Sequence, residues 1–110
     1  MIPDPPPPFD VDMSVVMRER IDEYGRRAAE LGVAGRFWSS VDQIMEELRM
    51  RPREWGEPFT NLRGFQMTAR LAVYKKLRVV WSVHDRIPLV VLWSLSPTTG
   101  HPLTPPGNGS

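Results

Sequence analysis

The fold is decided by residues 65–95, which read FQMTARLAVYKKLRVVWSVHDRIPLVVLWSL. Apolar residues stand at every second position within residues 65–73 and again within residues 77–83. This period of two is typical of β-strands that bury one face. A third run, residues 89–95, is more uniformly apolar, and the segments between the runs are as short as hairpin turns. The pattern predicts a small antiparallel β-meander, running from about residue 62 to residue 96.

The segment before the meander has the period of helices. One apolar stripe comprises Met17, Ile21, Tyr24, Ala28 and Leu31, and a second comprises Phe37, Val41, Ile44 and Leu48. Ser14 is a candidate N-cap of the first helix, Gly32 a natural stop, and the second helix is expected to end before Pro52. Because the link at residues 32–35 is short, we predict a helical hairpin that packs on the sheet.

The two ends of the chain are rich in proline and differ from the middle. Residues 1–8 predict a disordered proline-rich arm, and residues 97–110 predict a flexible Pro/Gly-rich tail. Residues 9–96 would then form one domain of the α+β class, with the helical hairpin packed on the antiparallel meander. Apolar residues also alternate from Phe9 to Met13, which indicates an additional N-terminal strand.

The composition argues against several classes of protein. The chain has 110 residues, no cysteine and a formal net charge of +1. Without cysteine there is no disulfide framework and no thiolate metal site, and the two histidines, His84 and His101, have no metal-ligand partner at a useful spacing. The sequence shows no signal-peptide pattern, no apolar run long enough for a bilayer and no nucleotide-binding loop. We therefore expect a cytoplasmic protein with no cofactor, no metal and no membrane contact.

Positive charge is concentrated in the predicted sheet. Residues 14–57 contain eight arginines against nine acidic residues, whereas residues 60–86 contain six basic residues against one aspartate. The six are Arg63, Arg70, Lys75, Lys76, Arg78 and Arg86. Such a patch attracts phosphate or an acidic partner, but lysine and arginine also keep an exposed sheet edge soluble. Both interpretations stay open on charge alone.

Strand alternation predicts which face each arginine occupies. If the apolar residues of 77–83 point at the helices, then Arg78 points away from them. By the same rule we expect Arg70 on the face away from the helices, where it could meet Arg78 in a register that the sequence does not fix. An arginine there could clamp a phosphate or pair with a carboxylate of the N-terminal segment.

The four tryptophans are predicted to lie mostly in the core. Trp38 and Trp81 fall in apolar stripes, and Trp93 is placed on the apolar face of the third run. Trp55 stands in the link between the helices and the sheet, where it is expected to cover the edge of the core.

Three short motifs accompany this order of elements: Arg51-Pro52 at the end of a helix, Leu62-Arg63-Gly64 before a strand, and Arg78-Val79-Val80-Trp81 followed by Asp85. Together, the element order and the motifs resemble the RelE/ParE superfamily of bacterial toxins. The resemblance covers roughly residues 9 to 96. It implies a helical hairpin on a short antiparallel sheet, a cognate antitoxin as partner, and RNA on the ribosome or gyrase as target.

The resemblance also suggests which residues would act. The ribosome-dependent ribonucleases of the family use a basic sheet face with an arginine on the central strand, which Arg78 matches as the candidate catalytic residue. The last strand of those enzymes supplies a further basic residue and a tyrosine, whereas this chain has Ser94 and Ser96 there. If the chain is an endoribonuclease, it therefore lacks the usual C-terminal catalytic residues, and the gyrase-directed branch of the family does not need them.

Three functions follow as hypotheses. The first is a RelE/ParE-like toxin of a toxin–antitoxin pair, and the second is a non-catalytic binding or scaffold domain of the same fold. The third is a single-stranded nucleic-acid binder that uses the region of Lys75, Lys76 and Arg78. The residues predicted to contact RNA or a partner protein are Arg63, Arg70, Lys75, Lys76 and Arg78.

Overall fold

A computed structural model describes residues 8–104, which form two helices packed against a five-stranded mixed sheet, an α+β architecture. The elements in chain order are β1 (Asp10–Met13), α1 (Val15–Glu30), α2 (Ala34–Met50), β2 (Glu57–Leu62), a 3-10 turn (Arg63–Phe65), β3 (Met67–Tyr74), β4 (Leu77–His84) and β5 (Leu89–Pro97). The predicted α+β class is confirmed. Nearly all of the predicted proline-rich arm, residues 1–7, and the last part of the predicted tail, residues 105–110, lie outside the described residues.

The helical hairpin forms as its sequence signals predict. The hydroxyl oxygen of Ser14 caps α1 by accepting a hydrogen bond from the backbone N–H of Met17 at 3.0 Å. Gly32, one residue beyond the C-cap, has a φ of 75°, a left-handed conformation that glycine adopts without steric cost. Both helices turn their apolar stripes towards the sheet. Neither is long and apolar enough to cross a membrane.

The five strands stand in the order β1-β5-β4-β3-β2. The pairs β2–β3, β3–β4 and β4–β5 are antiparallel, as a meander requires, while β1 runs parallel to β5 with Asp10 opposite Leu89. The additional N-terminal strand is therefore confirmed. It makes the sheet mixed, whereas the prediction from sequence was antiparallel.

Strand β2 was not predicted. It pairs along β3 as the far edge of the sheet, and five of its six residues are exposed. An edge strand that buries so little shows no alternation of apolar and polar residues, and Pro58 argues against a strand interior. The sequence therefore carried no signal that separates this strand from a loop.

The core fills the space between the helices and one side of the sheet, here called the helix face. Its buried side chains come from α1, α2, β4, β5 and the C-terminal segment: Met17, Ile21, Ala28, Phe37, Val41, Ile44, Leu48, Leu77, Val79, Trp81, Val83, Val90, Leu92, Leu95 and Leu103. Trp81 is fully buried, stacks on Trp55 with ring centroids 4.9 Å apart, and donates its indole N–H to the carbonyl oxygen of Pro52 at 3.1 Å. The predictions for Trp55 and Trp81 are confirmed.

Trp93 is not a core residue, and the prediction for it is wrong. In the register between β4 and β5, Val80 lies opposite Ser94 but Trp81 lies opposite Leu92, so Trp93 is the extra residue of a β-bulge. The bulge changes the phase of alternation within β5. It leaves the Trp93 side chain 56% exposed on the opposite side of the sheet. Trp38 is also more exposed than predicted, at 38%.

The chain beyond β5 stays packed against the domain. Leu103 is 3% exposed and belongs to the core, and the backbone N–H of Thr98 donates to the carbonyl oxygen of Lys76 at 2.8 Å. The hydroxyl of Thr104 donates to the carbonyl oxygen of Thr98. The packed unit thus extends past residue 96, where the sequence placed its end, through residue 104.

Candidate functional site

Arg78 lies in β4, the central strand of the sheet, and points away from the helices. It is opposite Val73 of β3 and Ser96 of β5. Its side chain is exposed and makes no hydrogen bond or ion pair within residues 8–104. This position agrees with the prediction from alternation, and it leaves the guanidinium group available to a ligand or partner.

Arg70 lies on the other side of the sheet, so the expectation that it meets Arg78 is wrong. In the register of β3 and β4, Arg70 is directly opposite Trp81, and residues opposite each other in an antiparallel pair share a face. The Arg70 guanidinium donates to the carbonyl oxygens of Trp55 and Gly56, both at 3.0 Å. Arg70 therefore holds the link that precedes β2 against the helix face.

Lys75 and Lys76 form the two-residue turn between β3 and β4, at one end of the strands. Both have a positive φ, of 47° and 65°. The Lys76 ammonium donates to the carbonyl oxygen of Gly100 at 3.4 Å, and the Lys75 ammonium lies 5.5 Å from the centroid of the Tyr74 ring. Arg63 is exposed in the 3-10 turn that precedes β3, at the opposite end of the sheet.

The five residues predicted as contacts are thus distributed over separate places. Arg78 is on the face away from the helices, Arg70 is on the helix face, the two lysines are at one end of the strands, and Arg63 is at the other. These residues do not build a basic sheet face. The reason is the register of β3 with β4: it places Arg70 opposite Trp81, whereas direct opposition to Arg78 would need a shift of three positions.

The side of the sheet away from the helices is mainly apolar around Arg78. We give the name open face to the part of this side that surrounds Arg78 and Trp93, formed by Leu71, Val73, Arg78, Val80, Ser82, Val91, Trp93, Ser94 and Ser96. The Trp93 indole N–H donates to the hydroxyl of Ser82, whose side chain is fully buried. The indole ring therefore covers the middle of the open face, while Val73 beside Arg78 is 63% exposed.

No general base stands beside Arg78 on the open face. Its neighbours in register are Val73 and Ser96, neither of which exchanges protons near neutral pH. His84, at the far end of the same strand, is about 20 Å away at the rise of a β-strand. Its Nδ1 accepts hydrogen bonds from the N–H groups of Arg86 and Ile87, at 3.0 and 3.2 Å, so it orders the β4–β5 turn.

Sequence reasoning missed a cavity of about 690 Å³ beside the first turn of α2. Its basic lining comes from three segments that are distant in the chain: Arg36 of α2, Lys75 and Lys76 of the β3–β4 turn, and His101 of the C-terminal segment. The Nδ1 of His101 accepts from the backbone N–H of Leu103 at 3.0 Å. Burial and, to a lesser extent, the neighbouring Lys76 charge lower the pKa of His101 from its usual value.

Within residues 8–104, histidine, aspartate and glutamate side chains form no cluster of three that could hold a metal ion. Known proteins offer no further guide. Comparison of the chain with protein-family models, with curated proteins and with solved structures finds no match.

Proposed function

We propose that this chain is the toxin component of a toxin–antitoxin pair, similar to RelE/ParE toxins, and that it acts by binding a protein target through the open face. The order of the helical hairpin and the meander, with Arg78 on the central strand, supports this assignment. The observation that carries the mode of action is the exposed guanidinium of Arg78 in a mainly apolar surface that includes Trp93.

Binding is favoured over RNA cleavage by the chemistry around Arg78. Attack of a ribose hydroxyl on phosphate needs a group that accepts the proton and groups that stabilise the developing charge. Arg78 can stabilise charge, but its neighbours Val73 and Ser96 supply no base. A ribonuclease at this face would lack half of its catalytic set.

A protein target is favoured over RNA by the balance of charge and apolar area on the open face. Affinity for a nucleic-acid backbone grows with the number of phosphates that lysine and arginine neutralise, and Arg78 is the one basic side chain among the residues of this face. Protein interfaces, by contrast, are enriched in tryptophan and arginine, and these residues often dominate the binding energy. Gyrase, the target of one branch of the family, belongs to this class of partner.

Inducible expression in a bacterium tests the proposal. We expect growth to stop on induction of the wild-type chain, and colony counts to recover by about tenfold or more with Arg78→Ala or Trp93→Ala, because each removes an anchor of the interface. Arg18→Ala, an exposed arginine of α1, is the matched control and should arrest growth like the wild type. Unimpaired growth at high expression of the wild-type chain would contradict the proposal, and co-expression of a cognate antitoxin should relieve the arrest.

The second candidate is a non-catalytic binding or scaffold domain of the same fold. Ser94 and Ser96, in β5 on the open face, favour it, because they stand where the resemblance calls for basic or aromatic residues. Growth unaffected by the wild-type chain, together with a protein partner whose binding is lost in Arg78→Ala, would support this alternative over a toxin.

A further inference from the structure

The charged and ionisable side chains that line the cavity beside the first turn of α2 are all basic. Arg36, Lys75, Lys76 and His101 line it, and no aspartate or glutamate does so. The ion pairs found in residues 8–104 join Glu23 to Arg26, Glu46 to Arg49 and Glu47 to Arg51, so none neutralises the cavity. A concave surface with unneutralised cations concentrates positive potential and attracts anions.

The turn that carries the two lysines is not one that lysine favours. A two-residue hairpin turn with positive φ at both positions is usually Asn-Gly, because side chains with a Cβ resist this conformation. Lys75 and Lys76 occupy it with φ values of 47° and 65°. Turn geometry therefore gives no reason for lysine here, whereas the adjoining cavity gives one, since both lysines line it.

The approach of the C-terminal segment holds Lys76 in place. Its ammonium donates to the carbonyl oxygen of Gly100 at 3.4 Å, and a Cβ added at Gly100 would lie only 3.2 Å from that nitrogen. Gly100 has a φ of 90°, a conformation that favours glycine. The segment that supplies His101 to the cavity thus also orients one of its lysines.

Other hydrogen-bond donors also stand at the cavity. Because Nδ1 of His101 accepts from Leu103, the neutral imidazole carries its proton on Nε2. Helix α2, 17 residues long, begins at the cavity with no side-chain cap and no acidic residue in its first turn. The backbone N–H groups there and the positive end of the helix dipole add to the attraction for an anion.

We propose that this cavity binds a phosphate-bearing small molecule of nucleotide size. Its volume of about 690 Å³ falls in the range typical of small-molecule sites, roughly 300–1,000 Å³. The basic side chains would take the phosphate, and Val33 and Pro102 supply apolar contact for the rest of the ligand. The inference goes beyond the proposed function and does not depend on it, because Arg78 points to the open face and does not line the cavity.

Calorimetric titration of the full chain at low salt tests the proposal, with adenosine 5′-monophosphate as the probe and adenosine as the uncharged analogue. We expect the monophosphate to bind, and adenosine to bind at least about tenfold more weakly, because it lacks the group that the cations recognise. Inorganic phosphate should compete with the monophosphate, and added salt should weaken binding.

Variants locate the binding. The substitutions Lys75→Gln and Lys76→Gln should each lower the affinity for the monophosphate by roughly tenfold, since each removes a charge-assisted hydrogen bond. Lys76→Arg keeps the charge and should retain most of the affinity. Arg18→Gln is the matched control, because it removes one positive charge about 20 Å away along α1, and it should bind as the wild type does.

Three results would overturn the proposal. They are equal binding of adenosine and the monophosphate, absence of binding at millimolar monophosphate, and equal affinity of the Lys76→Gln and Arg18→Gln variants. Thermal unfolding of each variant in the absence of ligand verifies that the fold is retained. The growth assay tests the open face and not this cavity. An Arg78→Ala variant that no longer arrests growth but still binds the monophosphate would support the proposed function, and its unchanged affinity would support a separate site in the cavity.

Discussion

The two faces of the sheet use the same residue types for different purposes, as Trp81 and Trp93 show. Both stand on neighbouring strands, and both donate the indole N–H within the domain. Trp81 is fully buried on the helix face, whereas Trp93 is 56% exposed on the open face. The hydrogen bond therefore does not distinguish a core tryptophan from a surface tryptophan. What distinguishes them is whether other side chains surround the ring.

The largest difference between the faces is expected for the tryptophans themselves. Trp81→Ala should lower the free energy of unfolding by about 3–5 kcal/mol, because it leaves a cavity in the core and removes the partner of the Pro52 carbonyl oxygen. Trp93→Ala should lower the free energy of unfolding by about 1 kcal/mol, since the exposed ring makes fewer contacts. Urea denaturation of both variants measures the two values. Equal losses would show that the open face is part of the core.

A smaller difference is expected between the two arginines of neighbouring strands. Arg70→Met keeps the aliphatic stem but leaves the carbonyl oxygens of Trp55 and Gly56 without their donor, at a cost of about 1–3 kcal/mol. Arg78→Met should change stability by at most about 0.5 kcal/mol, because its guanidinium has no partner within residues 8–104. The same denaturation experiment applies. A stability loss in Arg78→Met equal to that in Arg70→Met would contradict the register described above.

The smallest effect concerns His101, on the C-terminal segment that closes the core. Burial and Lys76 lower the pKa of His101 below its unfolded value of about 6.5. The unfolded chain therefore binds more protons as pH falls through that value, so this histidine makes the free energy of unfolding decrease from pH 7.5 towards pH 5.5. His101→Asn retains an acceptor for the Leu103 N–H and removes the titration. The free energy of unfolding of the His101→Asn variant should therefore decrease less between pH 7.5 and pH 5.5 than that of the wild type.

Parallel denaturation series at pH 7.5, 6.5 and 5.5 measure this effect for both proteins. Groups other than His101 titrate in both proteins, so their contributions to the pH dependence cancel when the two proteins are compared. An identical pH dependence in the two proteins would show that the C-terminal segment leaves His101 as hydrated as in the unfolded chain.

The parts of the fold that were predictable are those in which local chemistry and burial agree. The helices have apolar stripes at the period of 3.6, with Ser14 and Gly32 at the ends of α1, and every second residue of β4 from Leu77 to Val83 is apolar and buried. Strand β2 buries too little to show a pattern. The bulge at Trp93 is an extra residue whose position depends on how β5 pairs with β4, which local sequence does not contain.

The candidate sites were predictable to the same extent. The exposure of Arg78 follows from alternation within its own strand, so the sequence indicated it correctly. The position of Arg70 depends on the register between two strands, and the sequence left that open. The cavity joins Arg36, the lysine turn and His101, whose proximity arises only after the C-terminal segment packs through Leu103.

The parallel pairing of β1 with β5 has a consequence for how the chain reaches this structure. Of the five described strands, the one synthesised first pairs with the one synthesised last, Asp10 opposite Leu89, and the backbone N–H of Phe9 donates a hydrogen bond to the carbonyl oxygen of Arg49 in α2. Contacts so distant in sequence form late, because a long loop must close before they stabilise anything. During synthesis the helical hairpin therefore emerges with its apolar stripes uncovered, and their cover is not complete until β5 has left the ribosome. We expect the nascent chain to need protection from aggregation during that interval.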